Sequence, residues 1–178
     1  MGITRWLEEE EMNAWRALLR GHGLLTNRLD EELLAEAGMS LAEYEVLVHL
    51  SDAPDNRLRM SDLAGQVLLS RSGLTRRVDA LVERGWVTRQ PCPSDRRAVH
   101  AVLSPAGRTR LHEVAAIHLG GVRAHFVDLL SAADLADLQR ILSVVVRHLS
   151  PTTEDDAGGC GEPKRVATTC DALAGPEA

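Results

Sequence analysis

Residues 60–103, MSDLAGQVLLSRSGLTRRVDALVERGWVTRQPCPSDRRAVHAVL, carry two changes of period within one short span. Leu63, Ala64, Val67 and Leu68 fall at helical spacing behind Ser61, an N-cap candidate. A second helix begins around Ser70 and ends before Gly85; its Leu74, Val78 and Leu81 recur every three or four residues, and Ser72, Arg76 and Asp79 fall on the opposite side. The period then becomes that of strands. Trp86 to Arg89 and Ala98 to Leu103 are short β-type runs separated by Gln90 to Arg97, whose two prolines, Ser94 and Asp95 argue against a regular element. Helix, tight turn, helix and two-stranded ribbon is the order of a helix-turn-helix followed by a wing. Two strands are not stable alone, so the ribbon must lean on helices.

The flanks supply those helices. A long pattern from Trp6 to Ala37 ends at Gly38, and Ser40 with Glu43 forms a capping box before Tyr44, Val46, Leu47 and Leu50. Ala53 to Arg57 reads as a turn. Ser104 and Pro105 open a helix expected to reach Leu130, weakened in its middle by Gly120 and Gly121. Ser131 caps a last helix through Leu149 with Leu135, Leu138, Leu142, Val145 and Val146 on one stripe, and Pro151 stops it. The fold class expected is mostly α with a small β-wing. Residues 6–52 and 104–149 are its frame helices, 57–103 its winged helix-turn-helix, and 150–178, rich in Gly, Thr, Asp and Pro, a disordered tail.

Charge separates the module from its frame. The whole chain of 178 residues has 20 basic and 26 acidic side chains, a net of −6. Between Arg57 and Arg110, however, stand eleven arginines and four acids, a local net of +7 that leaves −13 for the remainder. A basic segment made entirely of arginine suits phosphate oxygens and base edges alike. At the start of the second helix Ser70 and Ser72, with the free amides, suit phosphates, whereas Arg71 or Arg76 can fork onto guanine O6 and N7. Thr75 shares that surface, and Arg77, flanking the core face, suits a phosphate clamp. At the ribbon tip Ser94 and Asp95 precede Arg96 and Arg97; the carboxylate would hold one arginine while the other enters a minor groove.

Other chemistries find little support. Three cysteines, Cys92, Cys160 and Cys170, form neither a disulfide framework nor a zinc module, and no glycine-rich phosphate loop or nucleophile and base pair suggests an enzyme. Seven dispersed histidines make no tight metal motif, so no metal and no cofactor are expected. No run is apolar enough to span a bilayer and the N-terminus lacks a signal pattern, which points to the cytoplasm. Cys92, between two prolines beside the wing, leaves open a redox-responsive regulator. A winged-helix interaction scaffold that reads no DNA is the other class, and the basic segment argues against it.

Four stretches together, LAEYEVLVHL (41–50), MSDLAGQVLLSRSGLTRR (60–77), VDALVERGWVTR (78–89) and above all DRRAVHAVLSPAG (95–107), resemble the MarR (multiple-antibiotic-resistance regulator) family of bacterial winged-helix transcription factors. The resemblance implies a homodimer whose first and last helices interlock, each subunit offering one recognition helix to a pseudo-palindromic operator. It also implies a repressor, bound to the nucleoid when on DNA, of a kind of which many members release DNA on binding a small phenolic or other anionic compound. It places Ser70, Arg71, Ser72, Thr75 and Arg76 in the major groove and Asp95, Arg96 and Arg97 in the wing. The effector pocket it implies lies between the dimerisation helices and the winged module, near Trp15, Leu19, His22, Tyr44 and His49. Independently of it, apolar terminal helices around a module of about 65 residues would expose too much apolar surface in a monomer.

Overall fold

The computed structural model describes residues 5–67, 71–92 and 95–150, without the side chains of Arg71, Arg96 and Arg97. Ser70, Ser94 and the expected tail beyond Ser150 therefore lie outside the described residues. Six α-helices and three strands follow in the order α1 (Glu9–Ala37), α2 (Leu41–Asp52), β1 (Arg57–Arg59), α3 (Met60–Gln66), α4 (Arg71–Glu83), β2 (Val87–Cys92), β3 (Asp95–Leu103), α5 (Pro105–His125) and α6 (Ala132–Leu149), with 3-10 turns at Pro54–Asn56 and Val127–Leu129.

Three of the expected caps form as written. Ser40 and Glu43 make a reciprocal capping box on α2, Ser131 and Asp134 another on α6, and the Ser104 hydroxyl accepts the Gly107 amide at 2.9 Å ahead of Pro105 in the first turn of α5. Those bonds to Ser131 hold the Asp134 carboxyl below its ordinary range. Ser61 does not cap α3. It lies inside the helix, which starts from Arg59 without a side-chain cap because β1 delivers the chain in extended conformation. The long first helix begins at Glu9 instead of Trp6, because Glu8 and Glu11 close a capping box there.

The wing departs most from expectation. It is a three-stranded antiparallel sheet in the order β1-β3-β2, with Leu58 opposite Ala101 and Arg89 opposite Ala101 on the other side. Arg57, read as the end of a turn, is the first residue of β1. Pro91 sits within β2, opposite Val99, and a bulge follows at Cys92. Because β2 is an edge strand, the missing proline donor breaks no interior ladder. Helix α5 also stops earlier than Leu130. Phe126 leaves helical geometry at φ −142°, and a 3-10 turn bridges to α6.

The core joins α2, α3, α4, the sheet and α5 to the C-terminal end of α1. Tyr44, Leu47, Leu50, Leu63, Leu74, Val78, Leu81 and Leu111 are buried in it with Leu33, and each such aliphatic side chain contributes about 1.5–3 kcal/mol. Gly121 is where α5 crosses α1 closely: a Cβ there would lie 2.8 Å from Cδ2 of Leu29. The expectation that Gly121 merely weakens α5 misses this packing role. By contrast, α1 buries only Leu29 and Leu33, and α6 buries none of its residues.

Candidate nucleic-acid interface

Helix α4 has one apolar and one polar face because its Leu74, Val78 and Leu81 enter the core together. Ser72, Thr75, Arg76 and Arg77 are consequently turned outward, all exposed. Arg71 stands at the first position of α4 and Ser70 immediately before it lies outside the described residues. At 13 residues α4 is about 20 Å long. That is enough to lie along a major groove, which admits one α-helix.

The sheet carries the second part of the surface. Strands β2 and β3 run antiparallel from Val87 opposite Leu103 outward to Cys92 opposite Asp95. Asp95 is exposed at the head of β3, followed by the backbone of Arg96 and Arg97. Ser94 lies outside the described residues, and so do the side chains of Arg96 and Arg97, one of which Asp95 is expected to hold.

Two features of this surface escape a sequence reading. Arg89 of β2 is ion-paired with Asp79 of α4, which offsets a carboxylate beside Thr75 and Arg76 on the outward side of that helix. The pairing has no sequence signature, since the residues are ten apart across a helix end and a turn. The second is β1, whose exposed Arg57 and Arg59 add to the basic sheet. Arg57 pairs with Asp55 at 3.2 Å, and an Arg59 nitrogen lies 3.9 Å from the Cys92 sulfur. Cys92, at the end of β2, is only 5% exposed.

The residues named for an effector are distributed over the molecule. Trp15, Leu19 and His22 are exposed along α1, whereas Tyr44 is fully buried with its ring 4.5 Å from that of His118. His49 is half-buried on α2, and burial pushes its pKa below the ordinary histidine value against the opposing charge of Asp52. Glu45, one turn before it, is pushed up by burial, and the charge of His22 pulls it the other way. A separate open cavity of about 520 Å³ lies between α1 and α5, lined by Glu32, Glu36, Ile117, Gly120 and His125 among others. None of the five named residues lines it.

Among the described residues no group of three His, Cys, Asp or Glu side chains is placed to hold a metal, and no helix is long and apolar enough to cross a membrane. What the site offers is a polar helix face, an arginine-bearing sheet and a wing.

Known proteins share this arrangement. A model of the MarR family matches residues 37–98. AbsC, a MarR family transcriptional regulator from Streptomyces coelicolor, is 40% identical, with 82% of this chain and 98% of AbsC covered and a TM-score of 0.74. Sco3205 from the same organism, a MarR family regulator solved in complex with DNA, is 37% identical over 86% of this chain and 96% of its own, with a TM-score of 0.78. The transcriptional repressor YetL of Bacillus subtilis is 29% identical over 98 residues, 55% of this chain; the match spans 59% of YetL. With two relatives above one-third identity across nearly their whole length, built from the same elements, this chain belongs to the MarR family of transcriptional regulators.

Proposed function

We propose that the protein is a transcriptional repressor that binds double-stranded DNA sequence-specifically as a homodimer on a pseudo-palindromic operator. The observation that carries this reading is α4, whose buried face is spent entirely on the core and whose opposite face presents Ser72, Thr75, Arg76 and Arg77 to solvent. Sco3205, solved on DNA, supports it from outside the chain.

In this reading Ser70, Ser72 and the first amides of α4 hold phosphate oxygens, Arg71 or Arg76 reads guanine, and Arg77 clamps the backbone. Ser94, Asp95, Arg96 and Arg97 form a wing that follows the adjacent minor groove. The dimer is supported by the apolar surface that a single chain leaves bare: Trp15, Leu18, Leu19 and Leu24 on α1, with Ile141, Val144, Val145 and Leu149 on α6. Two copies joined there would set two α4 helices about one turn of DNA apart, as a palindrome requires. A small phenolic or anionic effector, held near the exposed Trp15, Leu19 and His22 once the second copy closes over α1, would shift that spacing and release the DNA. The protein would act in the cytoplasm, where its operator lies.

Selection from random duplexes at a stated near-physiological salt concentration tests this reading. Enrichment of an inverted repeat, with affinity falling steeply as salt rises, is expected. No enrichment from protein refolded free of small molecules would leave a winged-helix scaffold instead. Against the selected site, Arg76→Ala should reduce discrimination between specific and random DNA more than Arg97→Ala does; equal losses on both duplexes would show that Arg76 contacts phosphate alone.

A further inference from the structure

Helix α1 ends with a need that its own sequence does not meet. Gly38 closes it in the left-handed region at φ 59°, and no basic residue lies in its last turn. The Gly38 and Met39 amides serve the Leu34 and Leu33 carbonyls, but the negative end of this 29-residue helix and the Ala37 and Gly38 carbonyls take their charged donors from other elements. Arg84, just after α4, donates from Nη1 to the Gly38 carbonyl at 3.1 Å and stands 3.7 Å from the buried Glu43 carboxylate at the start of α2. Arg110 of α5 donates from Nη2 to the Ala37 carbonyl at 2.5 Å.

Both guanidinium groups also lie over the indole of Trp86, at 5.1 and 5.7 Å from the ring centroid, inside the range of about 6 Å for a cation–π attraction. Trp86 is itself held on both sides. Its amide donates to the Leu81 carbonyl at 2.9 Å, closing the C-terminus of α4, and its carbonyl accepts from the Ser104 amide at 3.0 Å. Gly107 lets the first turn of α5 close on that same carbonyl, which a Cβ would strike. Arg110 leaves its buried Nε without a hydrogen-bond partner in taking this position. The ends of α1 and α4 and the starts of α2, β2 and α5 therefore meet at one ring and two guanidinium groups.

We propose that Arg84, Trp86 and Arg110 form the joint that sets the angle of α4 to the frame helices, and that Arg110 is a positioning residue for DNA reading that touches no DNA. The proposal rests on the DNA-reading function above. The first turn of α4 lies about 20 Å from the joint, so a tilt of a few degrees there displaces it by about 1 Å. Hydrogen bonds to base edges do not tolerate such a shift, whereas long side chains on phosphates follow it.

The test compares wild type, Arg110→Ala, Arg110→Lys and, as a control for the ion pair that Arg110 makes with Glu113 at 3.0 Å, Glu113→Gln. Binding to selected and random duplexes is measured across a salt series, and amide hydrogen exchange is followed without DNA. Arg110→Ala should weaken binding to the selected duplex about three- to tenfold and to random duplex by less than about twofold. The slope of log affinity against log salt should not change, since no phosphate contact is lost. Exchange should quicken at residues 34–39 and 81–86, both remote in sequence from the substitution. Arg110→Lys, which keeps the charge but not the flat face, should be intermediate, and Glu113→Gln should match wild type. A salt slope lowered by about 0.9 would make Arg110 a phosphate contact and overturn the proposal. Unchanged selected-site affinity in a less stable variant would make it merely structural and overturn it equally. Quickened exchange at both helix ends in a protein that selects no DNA would uphold the joint and overturn the DNA reading.

Discussion

Asp79 on the outward side of α4 is ion-paired with Arg89 of β2, and Nη2 of the same guanidinium reaches the Thr75 carbonyl at 3.5 Å. The pair ties α4 to the wing and, in the proposed reading, masks a carboxylate that would otherwise repel phosphate. Both side chains are partly exposed, so its loss should cost stability no more than about 1 kcal/mol. Its effect on DNA should be larger. With Asp79→Asn, Arg89 is released for phosphate, random-duplex affinity rises and the salt slope steepens by about 0.9. Titration over a salt series checks this, and an unchanged slope would keep Arg89 away from DNA.

Two glycines of α5 should respond differently to Ala. A Cβ at Gly121 would meet Cδ2 of Leu29 at 2.8 Å and Oε2 of Glu32 at 2.7 Å, both at the ends of side chains that can turn aside. A Cβ at Gly107 would meet the backbone carbonyl of Trp86, which is fixed by its bond from Ser104. Gly121→Ala is therefore expected to cost about 1 kcal/mol, and Gly107→Ala about 3 kcal/mol or more. Urea unfolding of the two variants gives the order, and equal midpoints would contradict it.

Burial holds the His118 imidazole, packed at a tilt against Tyr44, below its ordinary value of 6.5, and His49 is shifted the same way. The unfolded chain takes up those protons first, so each histidine withdraws stability as the pH falls through 6.5 toward its folded value. Glu45, held above its ordinary 4.5, acts in the opposite sense. The informative quantity is thus the difference between variants. Replacing His118 with Gln should flatten the decline in urea stability between about pH 7 and about pH 5. A decline as steep as that of wild type would remove His118 as its source.

Ile141 is half exposed on α6, among the apolar residues that a second copy would cover. Ile141→Glu should halve the mass in light scattering while leaving the helical circular dichroism of the winged module largely intact. Affinity for an inverted repeat should fall toward that for a half-site. A dimer of unchanged mass would place the interface elsewhere.

Local chemistry made much of this protein readable from the chain. Ser40 with Glu43, Ser104 before Pro105, and Ser131 with Asp134 announce their helices because a cap is satisfied within about three residues. The spacing of Leu74, Val78 and Leu81 likewise orients α4, and with it Thr75 and Arg76, since a helix with one buried face has its other face determined. Interactions between distant segments were not readable. The pairing of β1 with β3, which turns a ribbon into a sheet, depends on Arg57 to Arg59 finding residues 100–102. Pro91 could stay in a strand only because β2 lies at the sheet edge. Asp79 meets Arg89, and Arg84 and Arg110 meet over Trp86, only after the core has set the helices. A cap or a periodic face is a property of neighbouring residues along the chain, whereas an ion pair or a helix end capped from another element exists only once packing has brought remote segments together.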